Sequence, residues 1–132
     1  MTFRIPMLSL LIGGAALATA FAWAASAQDV AAGEKTFNVC RACHEIGDGA
    51  KNLIVPVLNG VVGRKSGSYP GYGYSDANKN SGITWDEATL MEYLKNPRAK
   101  VPGTKMLFPG LKRDDDIVNV IAFLKQHSAD IK

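Results

Sequence analysis

The segment VCRACHEIG, residues 39–47, constrains this chain most, because it contains the only two cysteines among 132 residues. Two residues separate Cys40 from Cys43, and His44 follows directly. A disulfide here would close so short a loop that it would restrict the unfolded chain little. A thioredoxin-like redox motif needs a βαβ setting, and no strand-like alternating run precedes Cys40. A zinc site needs four ligands, and the sequence adds only the distant His127.

Cys-x-x-Cys-His is also the attachment signature of c-type haem. Two thiols add to the two vinyl groups along one edge of the porphyrin, and the adjacent histidine is thereby held under the iron as an axial ligand. This interpretation gives all three residues a role, whereas each alternative leaves His44 without one. We therefore predict that Cys40 and Cys43 attach a haem and that His44 binds its iron. A disulfide in a protein without haem stays open as an alternative.

The first 27 residues predict an exported protein. They contain one charge, Arg4, followed by an apolar run over residues 5–25 and a small-x-small triplet that ends at Ala27. This order is typical of a secretory signal peptide, with cleavage after Ala27. The alternative is an uncleaved anchor, because ~20 apolar residues in helix span a bilayer. Pro6 interrupts the run and favours cleavage.

Residues 28–132 are then the working protein, and their length predicts one domain, since ~100 to 200 residues per domain are usual. Without Arg4, 14 Lys and Arg residues face 12 Asp and Glu residues, a balance of +2. Nucleic-acid binding is excluded, because it calls for a strongly basic balance and a clustered basic stripe. We expect a periplasmic monomer. A domain this small buries a limited fraction of its surface, so a cofactor at its centre is expected.

Methionines offer a second axial ligand for the iron. Met1 and Met7 leave with the leader. Met91 lies in a helical pattern, TLMEYL, where methionine is a flexible core residue. Met106 lies in VPGTKMLFPG, between two Pro-Gly breakers that prevent regular structure, and is therefore the predicted ligand. His127 is interpreted as an exposed residue at a helix end, where it interacts with the last carbonyl groups.

Apolar periodicity predicts two terminal helices. The first covers residues 29–39, with Gly33 and Phe37 four positions apart on one face. The second covers residues 114–126, and its three opening acids lie near the positive end of the helix dipole. Its apolar positions follow helical spacing: Ile117, Val120, Ile121 and Leu124, with Phe123 beside them.

A third helix is predicted from a capping box, Thr84-x-x-Glu87, to Asn96, where it stops before Pro97. No convincing pair of strands is present in the pattern. The sequence therefore predicts an all-α fold.

The sequence GRKSGSYPGYGYSDANKNSGITWDEATLMEYLKNPRAKVPGTKMLFPGLK, together with IAFLKQ near the C-terminus, resembles class I cytochrome c, both the mitochondrial protein and its small bacterial periplasmic relatives. The resemblance covers about Gly33 to Gln126. It implies the cytochrome c fold, with three to five short helices wrapped around one covalently bound haem and its iron. It also implies that His44 is the proximal ligand and Met106 the distal ligand.

The resemblance further implies which residues surround the haem. The Pro56 carbonyl group accepts a hydrogen bond from the proximal imidazole in the family, which fixes the ring and raises its basicity. The remaining positions are Arg64, Tyr74, Asn78 and Trp85, near the propionates or their water network, and Tyr93 and Thr104, on the methionine side. The chain departs from the family pattern around Pro56, where valines stand at positions 55 and 57.

A His/Met pair leaves no open position on the iron, so we expect a soluble one-electron carrier and not an enzyme. A thioether ligand raises the reduction potential. The alternatives are a membrane-anchored carrier that keeps its leader and a small haem peroxidase or ligand-binding protein.

The expected partners are redox proteins: a cytochrome bc1-type complex, a terminal oxidase, a reaction centre or a reductase. Such encounters use small interfaces and are accelerated by charge. The resemblance places the cations Arg98, Lys105, Lys112 and Arg113 around the haem edge, with Lys65 as a weaker candidate.

Overall fold

The computed structural model describes residues 28–128, so the predicted leader and its cleavage after Ala27 lie outside the described residues. This part of the chain contains five helices and one isolated antiparallel bridge between Lys65 and Thr84. The all-α prediction is confirmed. The helices are α1 (Val30–Phe37), α2 (Asp76–Asn80), α3 (Glu87–Lys95), α4 (Pro97–Lys100) and α5 (Asp114–Gln126).

The two terminal helices, α1 and α5, pack against each other at a glycine. A methyl group added at Gly33 would lie 1.9 Å from the Asn119 carbonyl oxygen, so only glycine permits this backbone approach. Next to this crossing, the Phe37 and Phe123 rings have centroids 5.2 Å apart. Both rings are buried, and the predicted inward face of the first helix is confirmed.

Helix α3 begins at Glu87, and the predicted capping box at Thr84 is wrong. Asp86 is the N-cap, and its side chain accepts a hydrogen bond from the Thr89 amide at 2.8 Å. Thr84 is instead held in extended backbone by its bridge to Lys65. The helix ends before Pro97, as predicted.

The core is formed by apolar side chains from α1, α3, α5 and the segments between them. Met91, Met106 and Cys40 are half-buried and pack against this core. The most deeply buried apolar side chains are Phe37, Val57, Ile117, Val120 and Ile121. Across residues 28–128, no helix is long and apolar enough to cross a membrane.

His127 forms the C-cap of α5 and is half-buried, which corrects the prediction of an exposed residue. Its amide donates to the Leu124 carbonyl group at 3.1 Å, as expected at a helix end. Its carbonyl oxygen accepts from the Gly60 amide at 2.8 Å, and its ring contacts Phe123 edge-on. These contacts place the residue against the body of the protein.

Candidate haem site

The Cys-x-x-Cys-His segment forms a tight turn directly after α1. The amides of Cys43 and His44 both donate to the Cys40 carbonyl group, at 3.0 and 2.8 Å. Both cysteines are free thiols; Cys40 is half-buried and Cys43 is exposed. Burial, with a smaller effect of Cys43, raises the pKa of the Cys40 thiol to about 11. The turn thus presents two thiols and an imidazole together without joining the sulfurs.

A zinc site at this turn has no support in the part of the chain that the structure describes. Among those residues, no group of three or more His, Cys, Asp and Glu side chains is arranged to hold a metal ion. The only other histidine of the sequence, His127, lies at the end of α5 against Phe123.

His44 is oriented by a backbone carbonyl group. Its Nδ1 lies 2.6 Å from the Pro56 carbonyl oxygen, and because a carbonyl oxygen only accepts, Nδ1 carries the proton. The lone pair of Nε2 therefore remains for a metal. Burial lowers the pKa of His44, the charge of Arg64 lowers it further, and the bond to Pro56 opposes both. The imidazole is thus held in the neutral form that binds metals.

Arg64 braces the chain that follows Pro56. Its guanidinium group donates to the carbonyl oxygens of Asn59 at 2.9 Å and Val57 at 3.3 Å. The same group lies 4.8 Å from the centre of the Tyr69 ring. Burial raises the pKa of the Tyr74 hydroxyl, and the nearby Arg64 charge opposes this rise. Arg64 and Tyr74, which the resemblance groups together, are therefore neighbours on the Pro56 side.

A second cluster surrounds the Met106 sulfur. The Tyr93 hydroxyl group donates to Met106 Sδ at 3.0 Å, and the Tyr93 ring lies 4.5 Å from that of Trp85. The Thr104 hydroxyl group accepts from the Met106 amide at 3.2 Å and donates to Asn78 Oδ1 at 3.1 Å. Four predicted site residues therefore lie together around Met106.

Asn78 belongs to this methionine cluster in the structure. Its side-chain oxygen also accepts from the Ser75 hydroxyl group at 2.8 Å, and its Nδ2 donates to Ser66 Oγ at 3.3 Å. The resemblance grouped Asn78 and Trp85 with Arg64 and Tyr74. Sequence reasoning missed both serines, although Ser75, the N-cap of the short helix α2, carries a capping signal.

Two further asparagines near His44 were also missed. Asn59 is buried, and its side-chain amide donates to and accepts from the Gly47 backbone, both at 2.9 Å. Asn52 bonds to the Val57 amide and to the Pro70 carbonyl group. Their partners lie 5 to 18 positions away in sequence, so no local pattern signals them.

The donor set fits a c-type haem. The chain offers two free thiols, a neutral imidazole with Nε2 available, and a thioether. Cys40 and Met106, at the two ends of this set, are both half-buried and pack against the same apolar core. An imidazole and a thioether bind haem iron, and two thiols directly before such an imidazole attach the porphyrin of a c-type haem.

Comparisons with known proteins agree with this chemistry. The family model described as Cytochrome c matches residues 30–128. The chain is 56% identical over 128 residues to cytochrome c-554 of Methylosinus trichosporium, covering 97% of this chain and 96% of that protein. It is 61% identical over 102 residues to cytochrome c-550 of Bradyrhizobium diazoefficiens, covering 77% and 75%. The solved structure of cytochrome cH from Methylobacterium extorquens is similar, with a TM-score of 0.70, 50% identity and coverage of 74% and 98%.

Proposed function

Because the chain belongs to the cytochrome c family, whose members carry a covalently bound c-type haem with its iron, we propose that it is a soluble periplasmic one-electron carrier. In this proposal Cys40 and Cys43 form the thioether links. His44 and Met106 are the two axial ligands of the iron. The protein acts as a monomer that carries electrons between larger redox proteins and is not itself an enzyme.

The observation that carries this proposal is the hydrogen bond between His44 Nδ1 and the Pro56 carbonyl oxygen, at 2.6 Å. It fixes the tautomer in which Nε2 is free to bind iron. It also makes the imidazole a better electron donor, as partners of metal-bound histidines generally do. A histidine whose Nε2 is unprotonated, and which directly follows two free thiols, is suited to be an axial ligand of haem iron.

When bound, the haem supplies a reversible one-electron change of its iron. The side chains of this protein set the reduction potential of the iron and limit the access of other ligands to it. A thioether favours the ferrous state, and burial beside the core disfavours the extra charge of the ferric state. Tyr93 holds the Met106 sulfur in place through its hydroxyl group. Together these contacts favour electron transfer over substrate chemistry.

Replacement of Met106 tests the ligation directly. Met106→Ala is expected to abolish the near-infrared sulfur-to-iron charge-transfer band and to lower the midpoint potential of the holoprotein. Met91→Leu is the matched control, because Met91 is also half-buried against the core but lies on α3. An unchanged band in Met106→Ala would exclude Met106 as ligand.

The same samples test the peroxidase alternative. We expect the wild-type protein to bind carbon monoxide and cyanide slowly, because both axial positions are filled. We expect Met106→Ala to bind them quickly, as an open haem does. Rapid binding by the wild-type protein would favour a ligand-binding protein or a peroxidase.

Export to the periplasm and cleavage after Ala27 complete the proposal. The supporting features are the single charge Arg4, the apolar run and the small-x-small triplet of the leader. The intact mass of the exported holoprotein is expected to equal that of residues 28–132 plus one haem. A mass that includes the leader would support the membrane-anchored alternative.

For partner docking we propose the surface formed by Arg98, Lys105, Leu107 and Lys112. All four are exposed, and Leu107, next to Met106, is 80% exposed. Among residues 28–128, Arg98 and Lys112 have no acidic side chain within ion-pair distance. An apolar centre with a charged rim is the usual anatomy of a protein interface.

This surface fits an acidic face on a cytochrome bc1-type complex, terminal oxidase, reaction centre or reductase. Arg113 is a weaker contributor, because its guanidinium group lies 3.9 Å from the Asp115 carboxylate, which offsets its charge. Lys65 is exposed but is held in the bridge to Thr84.

A further inference from the structure

The peptide group between Pro56 and Val57 is hydrogen-bonded at both ends. Its carbonyl oxygen accepts from His44 Nδ1 at 2.6 Å, and its N–H group donates to Asn52 Oδ1 at 3.0 Å. A peptide group is planar, so its oxygen and its N–H hydrogen move together. The contact at Asn52 therefore restricts where the oxygen that holds His44 can lie.

Asn52 is itself fixed at its other end. Its Nδ2 donates to the Pro70 carbonyl oxygen at 3.0 Å. Because an N–H group requires an acceptor and a carbonyl group requires a donor, these two bonds determine which way the side-chain amide faces. Asn52 is half-buried and ties the segment after His44 to Pro70.

From this arrangement we infer that Asn52 is a positioning residue for His44, acting through the Pro56–Val57 peptide group. The inference rests on the proposed role of His44 as an iron ligand. A hydrogen bond to the N–H end of a peptide polarises its carbonyl group and makes the oxygen a stronger acceptor. Asn52 thus strengthens the bond at Nδ1 and makes the imidazole more electron-rich.

Asn52→Ala tests this inference in the holoprotein. Loss of the Oδ1 acceptor is expected to weaken the bond at His44, so the Nδ1 proton exchanges with solvent faster in nitrogen-15 NMR spectra of the ferrous protein. The midpoint potential is expected to rise, because a less electron-rich imidazole stabilises the ferric state less. Unchanged exchange and unchanged potential would overturn the inference.

Asn59→Ala is the matched control. Asn59 also anchors the segment after His44 through both atoms of its side-chain amide, but it bonds to Gly47 and not to the Pro56–Val57 peptide group. We expect Asn59→Ala to lower stability while the exchange of the His44 proton changes little. An equal effect of the two substitutions would mean that loosening of the segment alone is responsible, and would overturn the inference.

Asn52→Asp separates the effects of the two hydrogen bonds of Asn52. It keeps an acceptor for the Val57 amide and loses the donor to Pro70. We expect the His44 proton to exchange at close to the wild-type rate in this variant. Fast exchange would show that the hydrogen bond to Pro70 is what protects the His44 proton. It would overturn the inference that Asn52 acts through the Pro56–Val57 peptide group. The added charge itself lowers the potential, so proton exchange is the deciding measurement here.

Failure of the proposed function is recognised separately. The wild-type ferric protein is expected to show hyperfine-shifted signals from the His44 ring, which report its bond to iron. Their absence would remove the proposed ligation. Their presence, together with an Asn52→Ala variant that behaves as wild type, would remove only the inference about Asn52.

Discussion

The hydroxyl group of Tyr93, on α3, donates a hydrogen bond to the sulfur of Met106, in the loop that precedes α5, at 3.0 Å. Thioether sulfur is a weak acceptor, so few side chains orient it. Here the buried ring of Tyr93 packs against Trp85, which leaves its hydroxyl group little freedom to move. The helix therefore positions the sulfur of a residue that lies in irregular structure.

Tyr93→Phe is expected to lower the midpoint potential. The hydroxyl donor withdraws electron density from the Met106 sulfur, so its removal makes the sulfur a stronger donor to ferric iron. Loss of this hydrogen bond is also expected to cost about 1 kcal/mol of unfolding free energy. Redox titration and urea unfolding of the holoprotein measure the two effects.

The control is Tyr72→Phe, which removes a hydroxyl group from a half-buried ring that packs edge-on against Tyr74. It is expected to leave the near-infrared band and the midpoint potential at their wild-type values. A drop in potential of the same size in both variants would show that the Tyr93 contact has no special effect on the sulfur.

Alkaline pH is expected to destabilise the protein through Tyr93. Burial raises the pKa of the Tyr93 hydroxyl, and the neighbouring polar side chains of Thr104 and Asn78 oppose this rise. A folded-state pKa above the unfolded value of about 10 means that the stabilisation is complete below pH 10. It is lost as the pH rises from there through the folded-state pKa.

Urea unfolding as a function of pH measures this effect. Above pH ~10 the unfolding free energy of wild type is expected to fall more steeply than that of Tyr93→Phe, which has no proton to lose at this position. Between pH 7 and 8 both slopes are expected to agree, because the phenol is protonated in both states. Equal slopes above pH 10 would contradict the prediction.

Long segments with a regular apolar period were predictable from sequence, whereas short helices were not. The helix at residues 114–126 was predicted with the bounds that α5 has in the structure, because its apolar positions from Ile117 to Leu124 keep helical spacing over about two turns. The helices α2 and α4, with 5 and 4 residues, are too short to show a period. Each is instead started by a side-chain cap, Ser75 for α2 and Asn96 for α4.

The candidate site divides in a similar way. Cys40, Cys43 and His44 could be proposed as haem-site residues from sequence alone, because the attachment of a c-type haem requires them within a few positions of one another. The capping box at Thr84 failed because contacts from Lys65 and Arg64 hold residues 84–85 in extended backbone, and Asp86 offers a cap two positions later. Contacts set by tertiary structure override a local motif in this way.

Gly33→Ala is expected to destabilise the protein strongly. The added methyl group would lie 1.9 Å from the Asn119 carbonyl oxygen, which belongs to the α5 backbone and cannot rotate away. The two helices must separate, and their buried aromatic contact between Phe37 and Phe123 weakens. We expect a loss of roughly 3 kcal/mol of unfolding free energy, near the upper end for an overpacked core.

Gly73→Ala is the control for this substitution. A methyl group at Gly73 has no heavy atom within 4 Å, and this glycine does not have the positive φ that a side chain rarely adopts. The unfolding free energy of the Gly73→Ala variant is expected to stay the same or rise by up to ~1 kcal/mol, because alanine restricts the unfolded chain. A loss at Gly33 no larger than that at Gly73 would contradict the close approach of α1 and α5.

The rate of electron transfer to partners is expected to fall as the salt concentration rises. It is also expected to fall when exposed cations of the proposed docking surface are removed. Arg98→Gln and Lys112→Gln are each expected to slow association with a purified terminal oxidase roughly threefold at low ionic strength, since a charge pair ~7 Å apart in water is worth about 0.6 kcal/mol. Lys79→Gln is the matched control: it removes an exposed cation of α2 that pairs with Asp76 at 3.7 Å. Near 1 M salt, where the Debye length is about 3 Å, all the rates are expected to converge. Stopped-flow rates that do not change with salt, or an equal effect of Lys79→Gln, would show that this surface does not steer docking.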